Sequence, residues 1–117
     1  MPQTNSQKMA QAAYRRIVDR RPEGKFASFA REFPSLVHSC GFAQALAFAM
    51  SKKAHHMEYM DDLSAVLAAV GVEQARTSAE LGAFVRECDV AAYVRLSRHT
   101  LQAAGWLKRY VEAEEED

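Results

Sequence analysis

Residues 36–52 read LVHSCGFAQALAFAMSK. A histidine, a serine and a cysteine stand in a row, a glycine follows, and alanines and phenylalanines fill the rest. Either His38, Ser39 and Cys40 form a nucleophilic site, or the stretch is a junction between two helices of a helical core. The spacing upstream favours the junction. Phe26, Phe29, Phe33, Val37 and Cys40 recur every three or four residues, which is the repeat of one helix face. That phase survives Pro34, and it predicts a kinked helix, or two short ones stacked nearly end to end, from about Lys25 to Cys40. Gly41 is the natural left-handed terminator. A helix from Phe42 to about Lys52 follows. Being apolar nearly all round, it is expected to be the most buried element.

A cysteine nucleophile needs a base within hydrogen-bond reach and a lowered pKa, which helix amino termini and nearby cations provide. Cys40 stands instead at a helix carboxyl end, where the dipole raises a thiol pKa. His38 and Cys40, two residues apart on a helix, point about 200° from each other. Because Cys40 continues the apolar stripe, it reads as a small core residue. The remaining histidines, His55, His56 and His99, and Cys88 show no paired ligand spacing, and adjacent His55 and His56 diverge on a helix. They read as surface or packing residues, and no metal or cofactor is expected. Glu58, Asp61 and Asp62 read as partners of a helix dipole near a helix start. No glycine-rich phosphate loop and no nucleophile elbow occurs, so nothing in the sequence makes an enzyme.

Helical period extends in both directions from the opening stretch. A first helix, capped by Asn5 or Ser6 and running to about Arg21, carries Met9, Ala13 and Ile17. Pro22-Glu23-Gly24 breaks it. A fourth helix bears Met60, Leu63, Val66, Leu67 and Val70 and closes at Gly71. Thr77 and Glu80 have capping-box spacing and open a fifth with Leu81, Phe84, Val85 and Cys88. A short turn around Asp89–Leu96 is expected to lead to Ser97, which caps a last helix with Leu101, Ala104, Leu107 and Val111. No segment alternates apolar and polar residues for long. The expectation is an all-α compact bundle of about five to six helices. It forms one domain over residues 1–117, with an acidic tail fraying from about residue 112.

The 117 residues carry 15 basic and 15 acidic side chains. Residues 1–60 hold nine Lys and Arg against four Asp and Glu, and residues 61–117 hold six against eleven. Five of those eleven acids lie at the extreme carboxyl terminus, so the folded body is net basic, which permits an anionic partner. Arg15, Arg16 and Arg20 line the first helix, Lys52 closes the third, and Lys108 and Arg109 follow Trp106 in the last. If the fold gathered them, they would form a track for phosphates without base-reading capacity. Two cysteines, no apolar secretion segment and no run near the ~20 residues of a membrane span point to a cytoplasmic protein with free thiols.

Gly41-Phe42-Ala43-Gln44-Ala45-Leu46-Ala47-Phe48-Ala49-Met50-Ser51-Lys52 and the later Trp106-Leu107-Lys108-Arg109-Tyr110-x-Glu112-Ala113 carry a resemblance. Weaker blocks at Tyr59 to Leu67 and Tyr93 to Leu101, and the opening Lys8 to Tyr14, extend it over nearly the whole chain. The sequence resembles the small helical subunit of the Cmr complex, the type III-B CRISPR RNA-guided effector. Cys40 departs from the polar residue expected before the glycine. The resemblance implies a non-catalytic structural subunit in antiviral defence. Copies of it would stack along the complex beside the backbone and large subunits and help form the groove for guide and target RNA. On that reading Lys52, Lys108 and Arg109 are candidate RNA-binding residues, and the basic flank of the first helix adds Arg15, Arg16 and Arg20. The alternative is a helical protein–protein adaptor with no RNA contact.

Overall fold

A computed structural model describes residues 2–22, 24–50, 53–73 and 76–115, with the backbone alone at 115. These residues form six helices: α1 (Asn5–Arg20), α2 (Gly24–Cys40), α3 (Phe42–Ala49), α4 (Ala54–Ala69), α5 (Ser78–Glu87) and α6 (Val90–Glu115). The described residues include no strand.

Helix α1 is capped one residue earlier than the sequence reading placed it. The Thr4 hydroxyl accepts from the Gln7 amide at 3.0 Å, and the Gln7 side chain accepts from the Thr4 amide at 2.8 Å. Each side chain satisfies an amide that the helix leaves open, the reciprocal arrangement of a capping box. Met9, Ala13 and Ile17 are fully buried, as their spacing requires.

Helix α2 runs through Pro34 as one element. A proline inside a helix costs about 3 kcal/mol. Burying Phe33 and Val37 on either side of it returns roughly 3–6 kcal/mol, so continuation wins. The chain turns at Gly41, with φ 85° and ψ 159°, a region open essentially to glycine alone. Glycine has no side chain to cap α3, and α6 supplies the cap instead. The Tyr93 hydroxyl accepts from the Ala43 amide at 3.0 Å, while the Tyr93 ring packs 5.8 Å from Phe42.

Two expectations fail here. Helix α3 is one-sided rather than the most buried element: Phe42, Ala45, Leu46 and Ala49 face the core, whereas Phe48 is 53% exposed. An apolar surface reaching all round a short helix still meets neighbours on one side only. The expected turn before Ser97 is also helix. Asp89 is the cap, its carboxylate accepting from the Ala92 amide at 2.9 Å and its carbonyl from Tyr93 at 2.9 Å. Ser97 lies two turns inside α6. Helix α6 then continues through Glu112 and Glu114.

At 1.5 Å per residue, the 26 residues of α6 span roughly 39 Å, close to the 43 Å long axis of the molecule. Helices α1 and α2 pack along it, and α4 packs against α1, α2 and α6. Helix α5 closes one end against α4 and α3. One cluster of buried side chains draws on all six helices.

Candidate nucleic-acid interface

Three of the six basic candidates lie on α1, and the fold divides them. Arg16 and Arg20, one turn apart, face α4. Arg16 Nε donates to Asp62 Oδ1 at 2.8 Å; Arg20 donates to both oxygens of the same carboxylate, Nη2 to Oδ1 at 2.8 Å and Nε to Oδ2 at 3.1 Å. Arg20 also reaches the Glu58 carboxylate at 3.1 Å and its carbonyl at 3.3 Å, and it lies 5.5 Å from the centre of the Phe26 ring. The hydrogen bond to Asp62 raises the Arg20 pKa against the opposing effect of burial. Asp62 is fully buried, and charges there persist only when paired. Arg16 and Arg20 are thus committed to the core carboxylate.

Asp62 is the residue the sequence reading misplaced. It is no dipole partner at a helix start; it lies in the third turn of α4, three residues after Tyr59 and four before Val66, both buried. A carboxylate in phase with an apolar stripe was the available signal.

Arg15 points away from this pairing and is exposed. Its neighbour Tyr14 meets Tyr110 of α6 edge-on at 5.5 Å, and Tyr110 stacks on Trp106 at 5.9 Å. Arg109 is also exposed and precedes Tyr110. Arg15 and Arg109 are thus chain neighbours of the two rings that join α1 to α6, and both are open to solvent. Lys108 is half-buried and falls about 200° round α6 from Trp106 and Tyr110, on the far flank. Lys52 lies outside the described residues. The five described candidates thus face different ways: Arg16 and Arg20 toward Asp62, Arg15 and Arg109 toward solvent, and Lys108 to the far flank of α6.

The reactive-looking tripeptide is on the surface. His38, Ser39 and Cys40 are all exposed, so Cys40 is not the core residue its spacing suggested. The inward stripe of α2 stops at Val37, one turn before the helix ends, because Gly41 redirects the chain there. The Ser39 hydroxyl donates to the Ser35 carbonyl at 2.9 Å. His55 and His56 do not diverge either: their rings stand 4.4 Å apart, edge to face. His56 is buried and stacked on Phe29 at 4.0 Å. Burial lowers the His56 pKa, helped by His55 and Lys53 and opposed by a hydrogen bond to the Phe48 backbone. No group of three His, Cys, Asp or Glu side chains able to hold a metal ion occurs among the described residues.

A small bundle with exposed arginines beside aromatic rings is common chemistry, and comparison with known proteins narrows it. The family of CRISPR-associated proteins named Cmr5 matches residues 5–114. The CRISPR system Cmr subunit Cmr5 of Thermus thermophilus is 37% identical over 114 residues, covering 94% of this chain and 95% of that protein. The crystal structure of a CRISPR-associated Cmr5 family protein from Thermus thermophilus matches with a TM-score of 0.83. It is 34% identical, over 96% of this chain and 97% of that one. The matched range, residues 5–114, reaches all six helices, and the chain belongs to the Cmr5 family of CRISPR-associated proteins.

Proposed function

We propose that the chain is a non-catalytic structural subunit of a type III-B CRISPR ribonucleoprotein effector, working in the cytoplasm in antiviral defence. Its partners on this reading are the backbone and large subunits, further copies of itself, and guide or target RNA held without regard to sequence. The observation that carries the reading is the family match over residues 5–114. Arg15 and Arg109 support the RNA part: both are exposed, and no ion pair to a described residue takes up either charge. Lys108, on the far flank of α6, and Lys52, outside the described residues, remain candidates from the sequence, whereas Arg16 and Arg20 pair with Asp62.

The stacking of copies rests on the family match. No helix among the described residues is long and apolar enough to cross a membrane.

The test is co-purification with the backbone and large subunits, followed by measurement of retained RNA. Single-strand binding should weaken with salt by about 0.7 in log–log slope for each phosphate contact. Reversing charge at Arg15, Lys108 and Arg109 should lower that slope. The adaptor reading, favoured by the engagement of Arg16 and Arg20 inside the fold, predicts assembly with the same subunits but an unchanged slope.

A further inference from the structure

A second surface lies where the first turn of α2, the end of α3 and the first turns of α4 meet. Two hollows adjoin there, of about 820 Å³ and about 400 Å³, and both are lined by Gly24, Lys25 and His55. They form one open groove. Its floor is aromatic: Phe29 and His56 are stacked at 4.0 Å, and Phe48 leans on both, 6.2 Å from Phe29 and 5.1 Å from His56. Phe48 is more than half exposed, so the stack ends in a ring that water covers.

The rim is cationic. Lys25 and Lys53 line the groove and are exposed, and neither forms an ion pair with a described residue. Glu58 also lines it, but Arg20 already holds that carboxylate, which leaves Glu32 as the opposing acid among the described residues. Helix α4 begins here with no side-chain cap and no acid in its first turn, so its positive end adds to the two lysines.

Open aromatic rings bordered by cations are what an unpaired nucleic-acid strand needs, because every base has a face to stack and every link a phosphate. We infer that this groove is a stacking site for single-stranded RNA. One base lies on Phe48 and His55, and the adjoining phosphates meet Lys25, Lys53 and the start of α4. The inference rests on the RNA-binding reading above and gives that reading a second contact surface, distinct from Arg15 and Arg109.

The experiment is fluorescence anisotropy of the full chain with a labelled oligoadenylate and with an abasic strand of equal phosphate number, at two salt concentrations. Phe48→Ala should weaken oligoadenylate binding at least about 5-fold and leave the abasic strand unaffected. Lys25→Glu with Lys53→Glu should weaken both and flatten the salt dependence. Urea unfolding of each variant establishes that it is folded. Wild-type binding in both variants, with loss on reversing Arg15 and Arg109, overturns the groove and leaves the RNA reading standing. An absence of RNA binding by the wild-type chain, free and in the complex, overturns both. Loss of subunit co-purification in Phe48→Ala, with RNA affinity intact, also overturns the inference, because the groove would then dock protein.

Discussion

Two sets of basic side chains lie along the same face of α4, and the fold treats them oppositely. Arg16 and Arg20 close on Asp62 and Glu58, while Lys25 and Lys53 stay open at the rim of a groove that starts at His55. His55, Glu58 and Asp62 succeed one another at helical spacing, so only a turn or two separates the settings. Charge type does not distinguish them. What does is a carboxylate with no access to water: Asp62 requires cations, and the nearest arginines meet the requirement. The number of basic residues in a helix therefore says little about nucleic-acid binding until the acids opposite it are known.

The sharpest way to break this contrast is Asp62→Ala. Removing one member of a buried ion pair costs about 3–5 kcal/mol. Arg16 and Arg20 retain partial exposure and can be hydrated, which places the expected loss at the low end, about 3 kcal/mol by urea unfolding. The same change frees two guanidinium groups. Under conditions where the variant is folded, its RNA binding should become more salt-dependent than that of the wild type.

Next comes Arg20→Ala. It removes two hydrogen bonds to Asp62 and the contact with Phe26, leaves Arg16 in place, and should cost about 2 kcal/mol. Arg15→Ala, on the outer surface of the same helix, should change stability by no more than about 0.5 kcal/mol. Equal losses in the two variants would erase the distinction between core and surface arginines.

In the groove, Phe48→Ala should lower stability by about 0.5–1 kcal/mol, because the ring packs on one side only. Its principal effect should fall on RNA affinity. A loss of several kcal/mol would make Phe48 a core residue and remove it from the open surface.

The smallest effect concerns pH. Burial holds the His56 pKa below the ordinary 6.5, so the unfolded chain takes up protons that the folded chain refuses. The stability tied to a neutral His56 is complete above pH 6.5. It declines as pH falls from there toward the depressed folded value. His56→Phe keeps a ring against Phe29 and should flatten the change in urea midpoint between pH 7.5 and pH 5.5. An unaltered pH dependence would show that His56 is hydrated.

Much of the interior was legible in the sequence, because spacing reports directly which residues share a helix face. Met9, Ala13 and Ile17, the series Phe26, Phe29, Phe33 and Val37, and Leu63, Val66 and Leu67 are all buried where their period placed them. Spacing does not say where a stripe ends. Cys40 continues the period of α2 and is exposed, since a neighbour must exist for a face to be inside. Nor does it foresee pairing between residues far apart in the chain. Arg16 and Asp62 are 46 positions apart, and their meeting depends on how α1 lies against α4. The same limit hid the groove: Phe48, Lys25 and His55 come from three helices, and none of their local patterns points to the others.

Helix α3 has eight residues, below the length at which a helix is stable alone, about 12–15. Each of its ends is fastened to a different helix. At the first, Tyr93 of α6 holds the Ala43 amide; at the second, Met50 lies so close to Gly82 of α5 that a β-carbon there would come within 2.6 Å of its sulfur. Phe48 rides between these two anchors. Its exposed ring is therefore placed by four helices at once: α5 and α6 fix the backbone that carries it, and Phe29 of α2 and His56 of α4 are the surfaces it leans on.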